Sequence, residues 1–282
     1  MLGATQTVSS PAWDGGIHRA ELRGPGLAIA VADGLGGHAH GELASATAVS
    51  LLIERLADET EVDRLASTLR ESFDQANLAL IEGRLRRSAG QCEGLDPPAG
   101  RGESDDGRPL SARILGAQTT LTALVLAGGR GHLAHVGDCR AFRLRDGTLE
   151  LLTTDHTQAM ELVRMRLIRA EQAARHPGRH LLTRSLGGDV VLRVDVRAPE
   201  PAAGDAYLLA SDGLWSAVTA VEVREALEGD LGAGLEALLS SALERGGDDN
   251  ASVIAVRVLD PGARSDAGSP GWRSAWRRTT TR

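Results

Sequence analysis

The stretch VADGLGGHAHGELAS (31–45) constrains the fold more than any other part of the sequence. An apolar run at 27–32 leads directly into Asp33-Gly34, and a Gly-rich turn then opens an Ala- and Leu-rich helical pattern near Glu42. Glycines let the backbone turn tightly and approach whatever the neighbouring carboxylate binds. The stretch therefore predicts a strand that delivers one carboxylate into a turn, followed by a helix.

The same pattern of strand and carboxylate recurs three times further along the chain. Asp138 lies in a turn between two apolar segments, and Asp212 follows the apolar segment 207–210. Asp249 precedes the apolar segment 251–258. Strand ends at one edge of a layered sheet can converge, and convergent carboxylates repel one another unless cations neutralise them. The alternative is four independent turns, since Asp is common in turns.

Oxygen ligands without a Cys or His cluster favour Mg²⁺ or Mn²⁺ over zinc. Two such ions, roughly 3.5–4 Å apart, can share a water, lower its pKa and clamp an in-line displacement at phosphorus. The candidate chemistry is therefore phosphoester hydrolysis.

The order of the remaining patterns predicts the fold class. Apolar or alternating segments predict strands at 17–23, 27–32, 119–127, 131–136, 139–145, 149–152, 190–196, 207–210 and 251–258. Helical spacing or charge pattern predicts helices at 41–58, 60–86, 156–175, 220–228 and 234–245. Strands joined by hairpins imply antiparallel sheets, and two helix pairs can cover them. We therefore expect an α+β layered sandwich.

Composition excludes several other classes of protein. The net charge of -7 argues against a nucleic-acid partner. All 31 basic residues are arginine, which removes Walker A and Schiff-base lysine chemistry. Cys92 and Cys139 make neither a disulfide framework nor a zinc site. No apolar run has membrane-spanning length and no signal pattern opens the sequence, so we expect no membrane span and a cytoplasmic location.

Six stretches, taken together and in order, resemble the metal-dependent protein phosphatases of the PPM (type 2C) family in its bacterial single-domain form. They are 31–45, 119–126, 133–157, 174–187, 208–215 and 246–256. The resemblance implies a four-layer α-β-β-α sandwich over 1–259, with two antiparallel sheets between helix pairs and a metal centre in the cleft between the sheets. It places a flap-like helical insertion at 156–187. Composition rich in Gly, Ser and charge predicts a flexible insertion at 87–114 and a disordered Arg-rich tail at 260–282.

The resemblance also implies roles for the clustered residues. Asp33 would bridge two Mn²⁺ or Mg²⁺ ions at the catalytic centre, and Gly34 would offer its carbonyl to the second ion. Asp212 and Asp249 would complete the first ion's shell. Asp138, with Asp212, would hold a weaker third ion. The implied reaction is hydrolysis of phosphoserine or phosphothreonine by a metal-activated water, on a protein phosphorylated by a bacterial Ser/Thr kinase. We expect the protein to act as a monomer.

Four further residues matter for this resemblance. Asp14 and Asn250 would orient the metal ligands. His38, five residues after Asp33, can either protonate the leaving alkoxide or fix the turn by hydrogen bonding. His156 matches the family's Asp-His pair and is predicted to be architectural.

The N-terminal segment departs from the family pattern. Family members carry an Arg that grips the phosphate and a Glu that contributes to the second metal, whereas this chain has Ser9 and Trp13 at those places. A serine lacks the bidentate positive fork and an indole cannot ligate Mg²⁺. Either another arginine (Arg19, Arg23 or Arg184) substitutes, or turnover is weakened. A third possibility is a pseudophosphatase that binds phosphoproteins. A phosphatase of small metabolites is a further alternative.

Overall fold

The computed structural model describes residues 26–35, 38–59, 61–88, 118–246 and 249–259, without the side chains of 38–40 and 84–88. The strand predicted at 17–23, the residues Ser9, Trp13, Asp14, Arg19 and Arg23, most of the 87–114 insertion and the 260–282 tail lie outside these ranges.

The strands and helices follow the predicted order closely. The strands are β1 (Gly26–Val31), β2 (Gly34–Leu35), β3 (Gln118–Thr119), β4 (Leu121–Ala127), β5 (Arg130–Val136), β6 (Arg140–Arg145), β7 (Thr148–Leu151), β8 (Asp195–Arg197), β9 (Ala206–Ala210) and β10 (Val253–Arg257). The α-helices are α1 (His38–Ala57), α2 (Leu65–Ser88), α3 (Gln158–Arg164), α4 (Ala170–Ala173), α5 (Asp212–Trp215), α6 (Ala220–Glu228) and α7 (Leu231–Glu244). Two 3₁₀ turns cover Val62–Arg64 and Pro177–His180.

The larger strands form two four-stranded antiparallel sheets. One has the order β1-β4-β5-β8 and the other β10-β9-β6-β7, while β2 and β3 pair as a short ribbon. The antiparallel arrangement that the hairpin pattern predicted is confirmed.

Three hydrophobic clusters fill the spaces between the layers of helices and sheets. In β9, Tyr207 and Leu209 pack with residues of the other sheet such as Leu124, whereas Leu208 packs with helix residues such as Leu238. Alternate strand residues point to opposite faces, so β9 is buried on both sides. A third cluster joins α1 and α2 to the first sheet. The order of layers is therefore helices, sheet, sheet, helices, as expected from the sequence.

Two local predictions were wrong. The helix predicted over 156–175 is interrupted between α3 and α4, where Arg166 has a φ of 60°. That left-handed conformation stops a right-handed helix. The strand predicted at 190–196 is reduced to β8, and Val190 and Val191 are exposed. In addition, α2 continues to Ser88, so the first two residues of the predicted 87–114 insertion are helical.

Among the helices in the described ranges, none has both the length and the apolar character that crossing a bilayer requires.

Candidate metal centre

The four aspartates singled out in the sequence lie at the same end of the two sheets. Asp33 follows β1, and Asp138 lies between β5 and β6. Asp212 opens α5 directly after β9, and Asp249 precedes β10. Strand register explains the convergence, since β1 and β5 both end at this edge of the first sheet. In the second sheet Arg140 pairs with Ala210, which also pairs with Val253.

The carboxylates interact strongly with one another. Asp212 is the carboxyl group that acts most strongly on Asp33. Burial, then the neighbouring Asp212 carboxyl, then the charges of Asp249 and Asp138 raise the pKa of Asp33 to about 8. Burial and the charges of Asp212 and Asp155 raise the pKa of Asp138 to about 7. This end of the sheets therefore disfavours carboxylate ionisation unless cations compensate.

The donor set fits hard divalent cations. Oδ1 of Asp212 is buried and has no hydrogen-bond partner among the described residues. All four side chains offer oxygen, the ligand atom that Mg²⁺ and Mn²⁺ prefer. In the described ranges no three His, Cys, Asp or Glu side chains are already arranged as a metal-binding cluster.

Two threonines hold the backbone of Asp33 in place. The Asp33 N–H donates to Oγ1 of Thr120 over 2.8 Å, and the Thr120 N–H donates to the Asp33 carbonyl over 2.8 Å. The Thr119 hydroxyl donates to the same carbonyl over 2.9 Å. Both threonines are buried. They fix Asp33 from the junction between β3 and β4, and the sequence analysis assigned a role to neither of them.

Gly34 lies where two backbone segments approach closely. A Cβ on Gly34 would be 2.0 Å from the Gly41 carbonyl oxygen, and a Cβ on Gly41 would be 2.5 Å from the Gly34 oxygen. No side chain fits at either position without moving the backbone. Gly34 and Gly41 therefore let the start of α1 approach the turn that carries Asp33.

His156 fixes the turn before Asp138. Gly137 has a φ of 111°, and its N–H donates to Nδ1 of His156 over 3.0 Å. The His156 N–H donates in return to the Gly137 carbonyl over 2.7 Å. Because Nδ1 accepts a hydrogen bond, Nε2 carries the proton of the neutral ring and faces Asp195 at 3.2 Å. Burial lowers the pKa of His156 and favours this neutral form. These contacts favour the architectural role predicted for His156.

The loop that carries Asp249 packs against the start of α5. The Asn250 N–H donates to Oδ1 of Asp249 over 2.7 Å. A Cβ on Gly213 would lie 2.5 Å from the Asn250 carbonyl oxygen, which also accepts a hydrogen bond from Ser211 over 3.3 Å. Asn250 thus contacts Asp249 through its backbone, whereas the sequence suggested a ligand-orienting residue without specifying the group.

Three residues near the centre were missed by sequence reasoning. Nε1 of Trp215 donates to the Asp138 carbonyl over 3.0 Å, and the Arg140 guanidinium lies 3.5 Å from the centre of the Trp215 ring. Nδ1 of His180 lies 3.9 Å from Oδ2 of Asp212. Trp215 belongs to the stretch 208–215 and His180 to the stretch 174–187. The residues around each of them in the sequence give no sign that it contacts an aspartate far away in the chain.

The remaining candidates lie elsewhere or outside the described part. Arg184, considered as a substitute phosphate ligand, donates to Asp195 over 2.8 Å and contacts Nε2 of His156 at 3.1 Å. It is therefore engaged away from the four carboxylates in this structure. His38 is the first residue of α1, and its side chain is not described; Asp14 lies outside the described residues.

The fold and the acidic cluster together define a protein of the PPM phosphatase class. The family model described as Protein phosphatase 2C matches residues 16–241, and the chain belongs to that family.

Relatives and solved structures agree with this membership. The chain is 36% identical over 233 residues to the serine/threonine protein phosphatase PstP of Mycobacterium tuberculosis, a match that covers 82% of this chain and 40% of that protein. It therefore spans less than half the length of that relative. It is 30% identical to the serine/threonine phosphatase stp of Listeria welshimeri, over 81% of this chain and 83% of that protein. The crystal structure of the PstP phosphatase superposes with a TM-score of 0.69 at 32% identity, over 87% of this chain and 95% of that one. A second PstP structure, of its catalytic domain in complex with two manganese ions, gives a TM-score of 0.65 at 32% identity, with the same coverages.

Proposed function

We propose that the protein is a divalent-metal-dependent phosphatase that hydrolyses phosphoserine and phosphothreonine in proteins. The observation that carries this proposal is the meeting of Asp33, Asp138, Asp212 and Asp249 at one end of the sheets, where burial and mutual repulsion raise the pKa of Asp33. Such a cluster is stable as four anions only with cations present. The relative crystallised with two manganese ions supports the same chemistry.

Each residue of the cluster has a proposed role toward Mn²⁺ or Mg²⁺. Asp33 and the Gly34 carbonyl, together with Asp212 and Asp249, would hold two ions. Asp138 and Asp212 would hold a third, with Asp14 as a supporting residue near the centre. When bound, the ions would supply an activated water and compensate the charge that develops on the phosphoryl oxygens.

The chain's own residues supply rigidity, and the cysteine among the described residues, Cys139, is unsuited to act as a nucleophile. Thr119 and Thr120 fix Asp33, and His156 fixes the turn before Asp138. Cys139 is fully buried beside Thr120, and burial raises the pKa of its thiol. Among the described residues there is therefore no exposed cysteine to form a covalent phosphoenzyme.

The leaving alkoxide needs a proton, and two imidazoles are candidates to supply it. His38 is one, as the sequence suggested, with hydrogen bonding in the turn as its alternative role. His180 is a second candidate because it lies on the protein surface 3.9 Å from Asp212. A general acid must reach the leaving oxygen directly or through one water.

The proposed biological setting follows from the class of enzyme. The substrate would be a protein phosphorylated by a bacterial Ser/Thr kinase, and the phosphatase would act as a monomer in the cytoplasm. The net charge of -7 argues against nucleic acid as a partner.

A pseudophosphatase that binds phosphoproteins is the second candidate. Ser9 and Trp13 stand where the family's phosphate-binding Arg and metal-binding Glu are expected. Arg184 does not take over the role of the arginine in this structure, since it is held by Asp195. Loss of one charged group that stabilises the transition state commonly costs about 10²–10³ in rate.

Hydrolysis of an aryl phosphate separates the two candidates. We expect turnover that requires Mn²⁺ and falls at least about 100-fold in Asp212→Ala and in Asp249→Ala. Asp58→Ala, which removes an exposed carboxylate at the far end of α1, is the matched control and should retain activity. Absence of turnover with phosphopeptide binding intact would favour the pseudophosphatase. Turnover that survives chelation of the metal would contradict both.

A further inference from the structure

A cleft with a volume of about 480 Å³ is lined in part by Trp215, which donates a hydrogen bond to the carbonyl of Asp138 in the candidate metal centre. One wall is formed by α3, α4 and the 3₁₀ turn Pro177–His180, and the other by the end of α5. Its charged and aromatic lining consists of Arg140, Asp155, Arg175, Arg179 and Trp215. We call it the arginine cleft. None of the steps proposed above uses it.

One of its three arginines is already neutralised. Arg140 donates two hydrogen bonds to Asp155, of 3.1 and 2.8 Å, and Asp155 is buried. The same guanidinium stacks on Trp215. Arg140 therefore forms part of the rigid floor of the cleft, with its charge balanced by Asp155.

The other two arginines carry charge that no carboxylate balances. Arg175 and Arg179 are exposed, and neither has an acidic partner within 4 Å in the part of the chain that the structure describes. The cleft thus has an excess of two positive charges in a chain of net charge -7. Nearby flap arginines differ, since Arg164 pairs with Glu161 and Arg184 with Asp195.

The cleft opens next to the candidate metal centre. Trp215, in its floor, donates to the carbonyl of Asp138. Arg179 directly precedes His180, whose Nδ1 lies 3.9 Å from Asp212. An extended peptide advances about 3.3 Å per residue, so side chains one to three positions from a phosphoresidue at the carboxylates would reach the cleft.

We propose that the arginine cleft binds the carboxylate of an acidic residue that flanks the phosphorylated residue of the substrate. The inference rests on the proposed phosphatase function and adds a preference among protein substrates. Guanidinium groups match carboxylates in shape and charge, and the apolar Met160 and Ala173 in the lining can contact the methylene groups of Asp or Glu. A substrate with acidic residues near its phosphoserine or phosphothreonine is then selected over a neutral one.

Two phosphopeptides that differ only in their flanking residues test this preference. One carries Asp and Glu within three positions of the phosphothreonine, and the other carries Asn and Gln at the same positions. We expect the native protein to favour the acidic peptide in kcat/KM by about 5- to 20-fold, from two exposed ion pairs of about 0.5–0.9 kcal/mol each. The ratio should fall toward 1 in the double variant Arg175→Gln, Arg179→Gln, and in high salt.

The control is Arg193→Gln, which removes another exposed arginine that does not line the cleft. It should keep the native ratio. A native ratio near 1, or an equal loss of preference in the control, would overturn the inference.

The preference for acidic peptides can be measured even if the protein has no turnover. Failure to hydrolyse the aryl phosphate would refute the phosphatase proposal alone. The dissociation constants of the same two peptides, made with a non-hydrolysable phosphonate and measured by fluorescence anisotropy, then test the cleft. A preference for the acidic peptide that the double variant loses supports the cleft, and equal constants in the native protein refute it.

Discussion

Replacing Asp33 with asparagine should stabilise the metal-free protein at neutral pH. In the structure, burial and the neighbouring carboxylates raise the pKa of Asp33 from 3.8 to about 8. In the unfolded chain the pKa of Asp33 stays at 3.8, so between about pH 3.8 and pH 8 the folded protein binds more protons than the unfolded chain does. The stability that Asp33 contributes is fully present below about pH 3.8 and is lost as the pH rises through about 8. Because asparagine cannot ionise, the variant does not lose this stability as the pH rises.

The stabilisation expected in Asp33→Asn can be calculated from the shift in the pKa of Asp33. One pKa unit corresponds to about 1.4 kcal/mol, so a shift from 3.8 to about 8 sets an upper limit of about 6 kcal/mol. Burial, the largest cause of the shift, also costs free energy for the polar amide of asparagine, so only part of this limit is regained in the variant. We therefore expect Asp33→Asn to raise the free energy of unfolding by about 2–3 kcal/mol at pH 8 in the presence of a chelator. At pH 4 the two proteins should be nearly equal.

Urea unfolding followed by circular dichroism, repeated from pH 4 to pH 8 with chelator, measures this difference. Asp58→Asn is the control for removing an exposed carboxylate and should follow the native curve. Adding Mn²⁺ should reverse the order at pH 8, because a bound ion stabilises only the form that holds it. Equal pH dependence of the native protein and Asp33→Asn without metal would refute the reasoning, as would destabilisation of the variant at pH 8.

Two further substitutions, Asp205→Ala and His156→Gln, remove side chains that hold the fold and the turn before Asp138 in place. Asp205 is buried and accepts two hydrogen bonds from Arg145, of 2.7 and 2.6 Å, so Asp205→Ala should lower the free energy of unfolding by about 2–3 kcal/mol. Asp63→Ala, which breaks an exposed ion pair, should cost less than about 1 kcal/mol in the same urea titration, and equal losses would contradict the argument. His156→Gln removes the Nδ1 acceptor of Gly137 and should raise the Mn²⁺ concentration needed for half-maximal activity about 10- to 100-fold. An unchanged Mn²⁺ dependence would show that this hydrogen bond does not position the centre.

The acidic residues of the candidate site could be predicted because each belongs to a short local pattern. An apolar run followed by Asp and Gly predicts a strand end and a turn around Asp33 and Asp212 without any knowledge of the rest of the chain. Their meeting was one of two alternatives that the sequence left open, because β1 and β9, the strands that precede them, belong to different sheets. The layered fold was predictable from antiparallel pairing, which hairpin signals such as Asp146-Gly147 indicate.

Contacts between distant segments could not be predicted in this way. Thr119 meets Asp33 across 86 positions, and His180 approaches Asp212 from a separate insertion. The break between α3 and α4 depends on Arg166, a residue type that gives no local sign of a left-handed conformation. Such features depend on packing between elements, which residue spacing does not encode.

The number of Mn²⁺ ions bound per chain tests the central claim most directly. Equilibrium dialysis with metal analysis should find at least two ions on the native protein and fewer on Asp212→Ala, while Asp58→Ala binds as the native protein does. Native protein that binds no Mn²⁺, or an Asp212→Ala variant that binds as many ions as the native protein, would contradict the account.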